Sequence, residues 1–169
     1  MESAERPYVI CHMTSSVDGR IKVRRWKTLD ADSHYERVHG ELKGDAWMCG
    51  RVTMQGYADS ADPLPEPVAD DGVPVPREDH VARRDAPGYA VALDARGRLD
   101  WGARDAIEGD HVVVVLTESV PDSHLRALRA GGCTVTVQRL AGTNHRSLAR
   151  TPEAMQRLGG WLLEESAAR

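Results

Sequence analysis

Phenylalanine is absent from this chain of 169 residues, and cysteine occurs only three times. The large apolar side chains must therefore be aliphatic residues, methionine, four tryptophans and four tyrosines, which favours a valine-rich sheet covered by leucine-bearing helices. Cys11, Cys49 and Cys133 are widely spaced, and each lies in or beside an apolar run. We expect them to be buried free thiols in a reducing cytoplasm and not a disulfide framework.

Long apolar segments are also missing. No run approaches the roughly 18 apolar residues of a membrane span, and no cationic stretch leads into an apolar one after Met1, so the sequence predicts a cytoplasmic protein with no membrane partner. The formal charge is -4 and the pI is near 6.0. Because binding to phosphate backbones requires clustered cations, this charge argues against a nucleic-acid partner, and only Arg24, Arg25 and Lys27 form a small basic patch.

Common catalytic patterns are absent as well. The sequence has no G-x-S-x-G motif, no defensible Ser-His-Asp order and no pair of catalytic carboxylates, so hydrolase chemistry has little support. His34 and His39 are the histidines nearest to ligand spacing, but they lie about 140° apart around a helix. We therefore expect no metal site.

Length and composition, with 41% hydrophobic and 28% charged residues, predict one soluble domain over residues 1–169. Apolar runs of strand length predict strands at residues 8–13, 46–49, 89–94, 111–116 and 133–137. Four consecutive valines in the fourth run indicate a strand that is covered on both faces. This order predicts an α/β fold with a mostly parallel central sheet.

Two helices are predicted between these strands. The first covers residues 33–43 and begins with a capping box of Ser33 and Glu36. The second follows Pro121, which suits the first turn of a helix, and it closes at Gly131 and Gly132.

A long connection separates the strands at 46–49 and 89–94. Six of the nine prolines lie between Ala58 and Pro87, among few periodic apolar residues. A loop of this length is compatible with a lid over a binding site and equally with a disordered insertion.

Polar residues follow the first two predicted strands, in TSSVDGRI (14–21) and GRVTMQGY (50–57). The first segment is either a turn at Asp18 and Gly19 that joins two strands, or a loop whose hydroxyls bind a polar ligand. In the second, a glycine opens a short helix beside an arginine and a threonine, which suits an anion such as a cofactor phosphate, although such a glycine often marks only a turn. Ligands of parallel sheets sit beyond the carboxyl ends of the strands, where both segments are expected.

In order and spacing, the segments PYVICHMTSSVDGRI, GDAWMCGRVTMQGY, YAVALDARGRL and HVVVVLTES, with Trp26 between the first two, resemble a known family. It is the reductase domain of the bifunctional riboflavin-biosynthesis deaminase/reductase, together with its stand-alone bacterial relatives. The resemblance covers roughly residues 7 to 137. It implies a dihydrofolate-reductase-like three-layer fold and hydride transfer from NADPH to a pyrimidine, pteridine or related heterocycle.

The resemblance also implies roles for individual residues. Ser16 and Asp18 match the loop near nicotinamide and substrate, and we treat them as the candidate catalytic residues. The candidate cofactor-binding residues are Thr14, Ser15, Gly19, Trp26, Gly50, Arg51, Val52, Thr53, Leu93, Asp94 and Glu164. Tyr57 occupies a position where the riboflavin enzyme has an aspartate and is a candidate for substrate binding. Arg24 is a second candidate, because its charge suits a substrate phosphate.

The sequence departs from the family near its end. The family's L-L-x-E-G-G signature corresponds to GWLLEESAAR (160–169), where Glu165 and Ser166 replace the glycines. Glu164 and Glu165 are both acidic and would repel a pyrophosphate there. We therefore expect a C-terminally shortened relative of the family.

Three hypotheses follow. The first is a cytoplasmic NADPH-dependent reductase that acts on riboflavin-type or folate-type heterocycles. The second is a non-catalytic homologue that binds a nucleotide or a protein partner, and the third is an unrelated α/β domain whose loops only imitate the signatures. An exposed sheet edge would favour association, so a homodimer is expected.

Overall fold

The computed structural model describes residues 8–21, 31–64 and 72–138. These residues fall into two compact units, one within residues 8–44 and the other from residue 45 onward, and each is described by itself. The predicted single domain remains a prediction. The helices are α1 (Ala31–Leu42), α2 (Arg51–Met54) and α3 (Asp122–Ala130). The strands are β1 (Ala46–Gly50), β2 (Tyr89–Leu93), β3 (Ala106–Ile107), β4 (Asp110–Thr117) and β5 (Thr134–Gln138).

All five strands form one sheet, in which β2 lies between β1 and β4. The pairs β1–β2, β2–β4 and β4–β5 are parallel, whereas β3 pairs antiparallel with the start of β4. The prediction of an α/β fold with a mostly parallel sheet is confirmed at this level. Four of the five predicted strands are present, but β3 was missed because a two-residue strand carries no detectable periodicity.

β4 forms the centre of the core. Its valines alternate between two buried clusters, one with Val112 and Val114 and the other with Val113 and Val115. On the first side, Leu125 and Leu128 of α3 pack against the sheet. The prediction that four consecutive valines mark a strand covered on both faces is therefore confirmed.

Residues 8–13 are not a strand, which contradicts the sequence prediction. The chain is irregular here, and Tyr8, Val9 and Met13 are exposed. A short apolar run becomes a strand only where a neighbouring segment supplies the ladder of hydrogen bonds, which the run itself does not specify. Cys11 is exposed as well, so the expectation of a buried thiol is wrong there, whereas Cys133 is buried.

Both predicted long helices are present. α1 begins at Ala31, two residues before the predicted start, so Ser33 lies inside the helix and is not its cap. Gly131 follows the last residue of α3, as the sequence indicated, whereas Pro121 lies just before the first residue and not within the first turn.

The described part of the long connection contains no helix or strand, as predicted, but several contacts attach it to the unit that contains the sheet. His80 forms an antiparallel bridge with Val135 of β5, and Asp79 accepts a hydrogen bond of 2.8 Å from the Thr136 hydroxyl. Arg129 of α3 donates to the carbonyl of Pro76 at 2.9 Å. The segment from residue 72 to 86 is thus packed on α3 and β5 as a structural part of this unit.

Candidate functional site

The parallel register places the ends of β1 and β2 side by side. Gly50, the last residue of β1, is paired with Leu93, the last residue of β2. Because parallel strands end at the same edge of a sheet, the GRVT segment and the residues after β2 share that edge. We define residues 94–99 as the β2 turn.

Gly50 leads directly from β1 into α2. Its backbone is extended, with φ of -76° and ψ of 162°, and a Cβ atom built on it would have no atom within 4 Å. Glycine is therefore not required here by backbone conformation or by packing against the described residues. An absent side chain leaves open space above the backbone, which is what close approach of a ligand requires.

α2 is a single turn that Met54 anchors in the core. Val52 and Thr53 are exposed, Val52 to 76%. Arg51 is half-buried, and its Nη1 lies 3.5 Å from Oε1 of Gln55. The turn thus combines an open glycine, an exposed hydroxyl and a cation.

The β2 turn is held by the carboxylate of Asp94. Its Oδ2 accepts hydrogen bonds from the amides of Arg98 at 2.6 Å and Leu99 at 2.7 Å. Asp94 is only 1% exposed, and Leu93 is buried too. Leu93 and Asp94, both candidates for cofactor binding, therefore do not present their side chains to solvent. The structural role of Asp94 is to shape the turn.

The charge state of Asp94 is perturbed by its surroundings. Burial raises the pKa of this carboxyl above its ordinary value, and the amide hydrogen bonds from Leu99 and Arg98 offset part of the rise. The charges of His124 and Arg51 act in the same lowering direction. Oδ1 of Asp94 is buried and has no hydrogen-bond partner in the described part of the chain.

His124, the third residue of α3, lies against the β2 turn. A Cβ atom built on Gly97 would come within 2.6 Å of its Cδ2. Nε2 of His124 is buried without a hydrogen-bond partner among the described residues, and burial lowers the pKa of the imidazole. Sequence reasoning missed this residue because nothing in its spacing distinguishes it from an ordinary helix residue.

Tyr57, the candidate substrate residue, follows α2 in a turn. It is 36% exposed, and its ring meets that of Trp47 edge to face with centroids 5.7 Å apart. Arg104 donates to its carbonyl at 3.2 Å. Trp47 is fixed in turn by a 2.8 Å hydrogen bond from its Nε1 to Asp110.

The first polar loop belongs to the other unit, and its S-x-D-G-R motif is a closed turn. The Ser16 hydroxyl donates to Asp18, and Nε of Arg20 lies 2.9 Å from the Asp18 carboxylate. The Gly19 amide donates to the carbonyl of Ser16 at 2.8 Å, and Gly19 has a φ of +77° that glycine tolerates best. The turn expected at Asp18 and Gly19 is present, but it does not join two strands.

The hydroxyls just before this turn differ in exposure, since Thr14 is half-buried and Ser15 is exposed. Three candidates, Arg24, Trp26 and Glu164, lie outside the described residues, as do Arg25 and Lys27.

Within the described ranges, no group of three or more histidine, cysteine or acidic residues could hold a metal ion. No helix in the same ranges is long and apolar enough to cross a bilayer. No protein-family model and no curated protein matches this sequence.

Proposed function

We propose that this chain is an NADPH-dependent reductase that transfers a hydride to a pyrimidine, pteridine or related heterocycle. The observation that carries the proposal is the pairing of Gly50 with Leu93, which brings two of the family-like segments to one edge of a parallel sheet. Ligands of parallel α/β sheets bind beyond this edge. The finer assignment to a dihydrofolate-reductase-like fold is part of the same proposal.

The residues present at this edge fit an anionic cofactor. Gly50 leaves its backbone open to approach, Thr53 is an exposed hydroxyl, and Arg51 supplies a positive charge. Arginine suits phosphate because its planar guanidinium donates several hydrogen bonds at once. We therefore assign these three residues to the phosphates of NADPH, and Val52 contributes exposed apolar surface beside them.

When bound, NADPH supplies the hydride, so the chain itself needs little acid–base machinery. Its contribution is to orient the cofactor and the substrate and to exclude water. The resemblance gives Ser16 and Asp18 the role of donating and accepting hydrogen bonds with the polar edge of the heterocycle.

The cofactor claim is tested by titrating the protein with NADPH and following the transfer of tryptophan excitation to the bound nicotinamide. We expect saturation at micromolar to low millimolar NADPH, a range of about 4 to 8 kcal/mol of binding free energy. Gly50→Val should abolish the signal while the far-ultraviolet circular dichroism is unchanged, because a Cβ atom at this position has no atom of the described residues within 4 Å.

Gly40→Val is the matched control. Gly40 lies in α1, is exposed, and a Cβ atom built on it also has no atom within 4 Å. This variant should bind NADPH like the wild type. Unchanged affinity in Gly50→Val would instead show that the GRVT turn has only a structural role.

Turnover is tested separately, by following NADPH oxidation with phosphoribosylaminopyrimidine and dihydropteridine substrates. Consumption of NADPH by the wild type but not by Ser16→Ala supports hydride transfer that depends on Ser16. Saturable NADPH binding without oxidation of any of these substrates would favour a non-catalytic nucleotide-binding homologue instead.

We further propose that the protein is a homodimer. Among the described strands, β1 pairs only with β2, and Met48 on this strand is 39% exposed. Unpaired strand edges favour association. Light scattering coupled to size-exclusion chromatography should give twice the chain mass of 18.6 kDa, whereas a value of one chain mass would refute the dimer.

A further inference from the structure

Two buried polar side chains lie where α3 meets the β2 turn. Asp94, at the start of this turn, and His124, near the start of α3, each have one buried polar atom with no hydrogen-bond partner in the described ranges, Oδ1 and Nε2 respectively. The imidazole also lies against Gly97 of the same turn. Buried polar atoms without partners are costly, so these two atoms destabilise the closed turn.

The β2 turn in turn holds the segment that follows α2. The amide of Leu64 donates to the carbonyl of Arg98 at 2.8 Å, and the Arg98 side chain donates back to the carbonyl of Leu64. Just beyond the turn, the carbonyl of Asp100 accepts a hydrogen bond of 2.8 Å from the amide of Asp59. These hydrogen bonds tie both ends of residues 59–64 to residues 94–100, and Gln55 and Arg104 add a contact each to Ser60 and Asp59.

We propose that His124 is an acid-sensitive trigger, and that uptake of one proton by its imidazole opens the β2 turn and releases residues 59–64. The physical reason is that an imidazolium buried against the turn lacks hydration, whereas it is hydrated once the turn opens. Because α2 ends five residues before this segment begins, release loosens the end of the GRVT turn as well.

Burial of His124, and not the nearby charges, determines the direction of the effect. The carboxylates of Asp94 and Asp100 attract the imidazolium, but burial outweighs them and leaves the pKa of His124 below its ordinary value of 6.5. The closed turn therefore binds this proton more weakly than the open one, and acid favours opening. The pKa of Asp94 shifts in the opposite direction, because burial raises it from 3.8, while the charges of His124 and Arg51 lower it in part.

Hydrogen–deuterium exchange followed by NMR tests the proposal without any cofactor, so its failure is distinguishable from failure of the proposed function. The reporters are the amides of Asp59 and Leu64, with those of Val91 and Val113 in the sheet as internal references. Between about pH 7.5 and about pH 5.5, on either side of the ordinary histidine pKa, we expect protection of the reporters to fall several-fold after correction for intrinsic rates. The reference amides should keep their protection.

Two variants make the test specific. His124→Gln has no titratable group and should lose the acid response at Asp59 and Leu64. Asp100→Asn removes an attracting carboxylate and should move the response to lower pH, while it leaves the Asp94 hydrogen bonds intact. An equal acid response in the wild type and His124→Gln, or no response in the wild type, would overturn the proposal. If the β2 turn of His124→Gln is already open at pH 7.5, Asp100→Asn decides. The proposal is then overturned if the midpoint pH of its loss of protection equals that of the wild type.

Discussion

The carboxylate of Asp94 accepts a hydrogen bond of 2.7 Å from the amide of Leu99, five residues further along the chain. A second amide, that of Arg98, donates to the same oxygen at 2.6 Å. One buried side chain thus determines the path of the backbone after β2, next to the end of β1. Several properties of the protein depend on this arrangement and on the other buried polar groups.

Replacement of Asp94 by alanine should destabilise the protein. Each amide left without an acceptor costs about 1 to 3 kcal/mol when it is buried. Asp94→Asn keeps an acceptor oxygen on a side chain of the same shape and should lose less stability than Asp94→Ala. Urea unfolding of both variants measures the difference. Equal losses would mean that the hydrogen bonds to Arg98 and Leu99 do not determine the stability of the turn.

Gly97→Ala should be destabilising for two reasons. Gly97 has a φ of +63°, and its Cβ would approach Cδ2 of His124 to 2.6 Å. A left-handed conformation costs a residue with a side chain about 1 to 2 kcal/mol, and the contact with the ring adds to this cost. The double variant Gly97→Ala/His124→Ala should recover the part due to the ring. Purely additive losses in a thermal unfolding cycle would show that the ring does not crowd Gly97.

Stability should decrease in mild acid because of His111. This residue is fully buried, its Nε2 lies 2.9 Å from the Thr134 hydroxyl, and burial lowers the pKa of the imidazole. The unfolded chain takes up the proton near pH 6.5, whereas the folded chain does so only at lower pH. The contribution of neutral His111 to the free energy of unfolding is therefore constant above about pH 6.5, and it is lost as the pH falls below this value.

The measurement is the free energy of unfolding in urea between about pH 8 and about pH 5. His111→Gln should have a shallower slope in the acid range, although it is less stable at every pH. The same slope in both proteins would assign the acid sensitivity to other groups.

Cys133 should be almost inert towards alkylation. Burial and the nearby charge of Asp105 raise the pKa of its thiol to about 12. Because the thiolate is the reactive form, iodoacetamide at pH 8 should modify the exposed Cys11 first. Mass spectrometry of time-resolved digests gives the order of labelling. Equal rates in the folded protein would contradict the burial of Cys133.

Much of the fold follows from local patterns in the sequence. Three elements have the composition and approximate length that the sequence indicates. They are the valine run of β4, the strand that ends at Gly50, and the helix between Pro121 and Gly131. Hydrophobic periodicity and turn residues act within a few positions, and a single sequence displays them directly. The open glycine and the arginine of the GRVT segment were identifiable for the same reason.

Other features depended on contacts between residues far apart in the chain. Residues 8–13 have the composition of a strand, but strand formation requires a partner that the segment does not contain. His124 matters because α3 packs beside a turn 27 positions earlier, at Gly97, and no pattern around either residue indicates this. The sequence alone determined four of the strands, the two long helices and the chemistry available at strand ends. Only the tertiary structure decided which polar groups are buried and have shifted pKa values, because burial depends on neighbours that are distant in sequence.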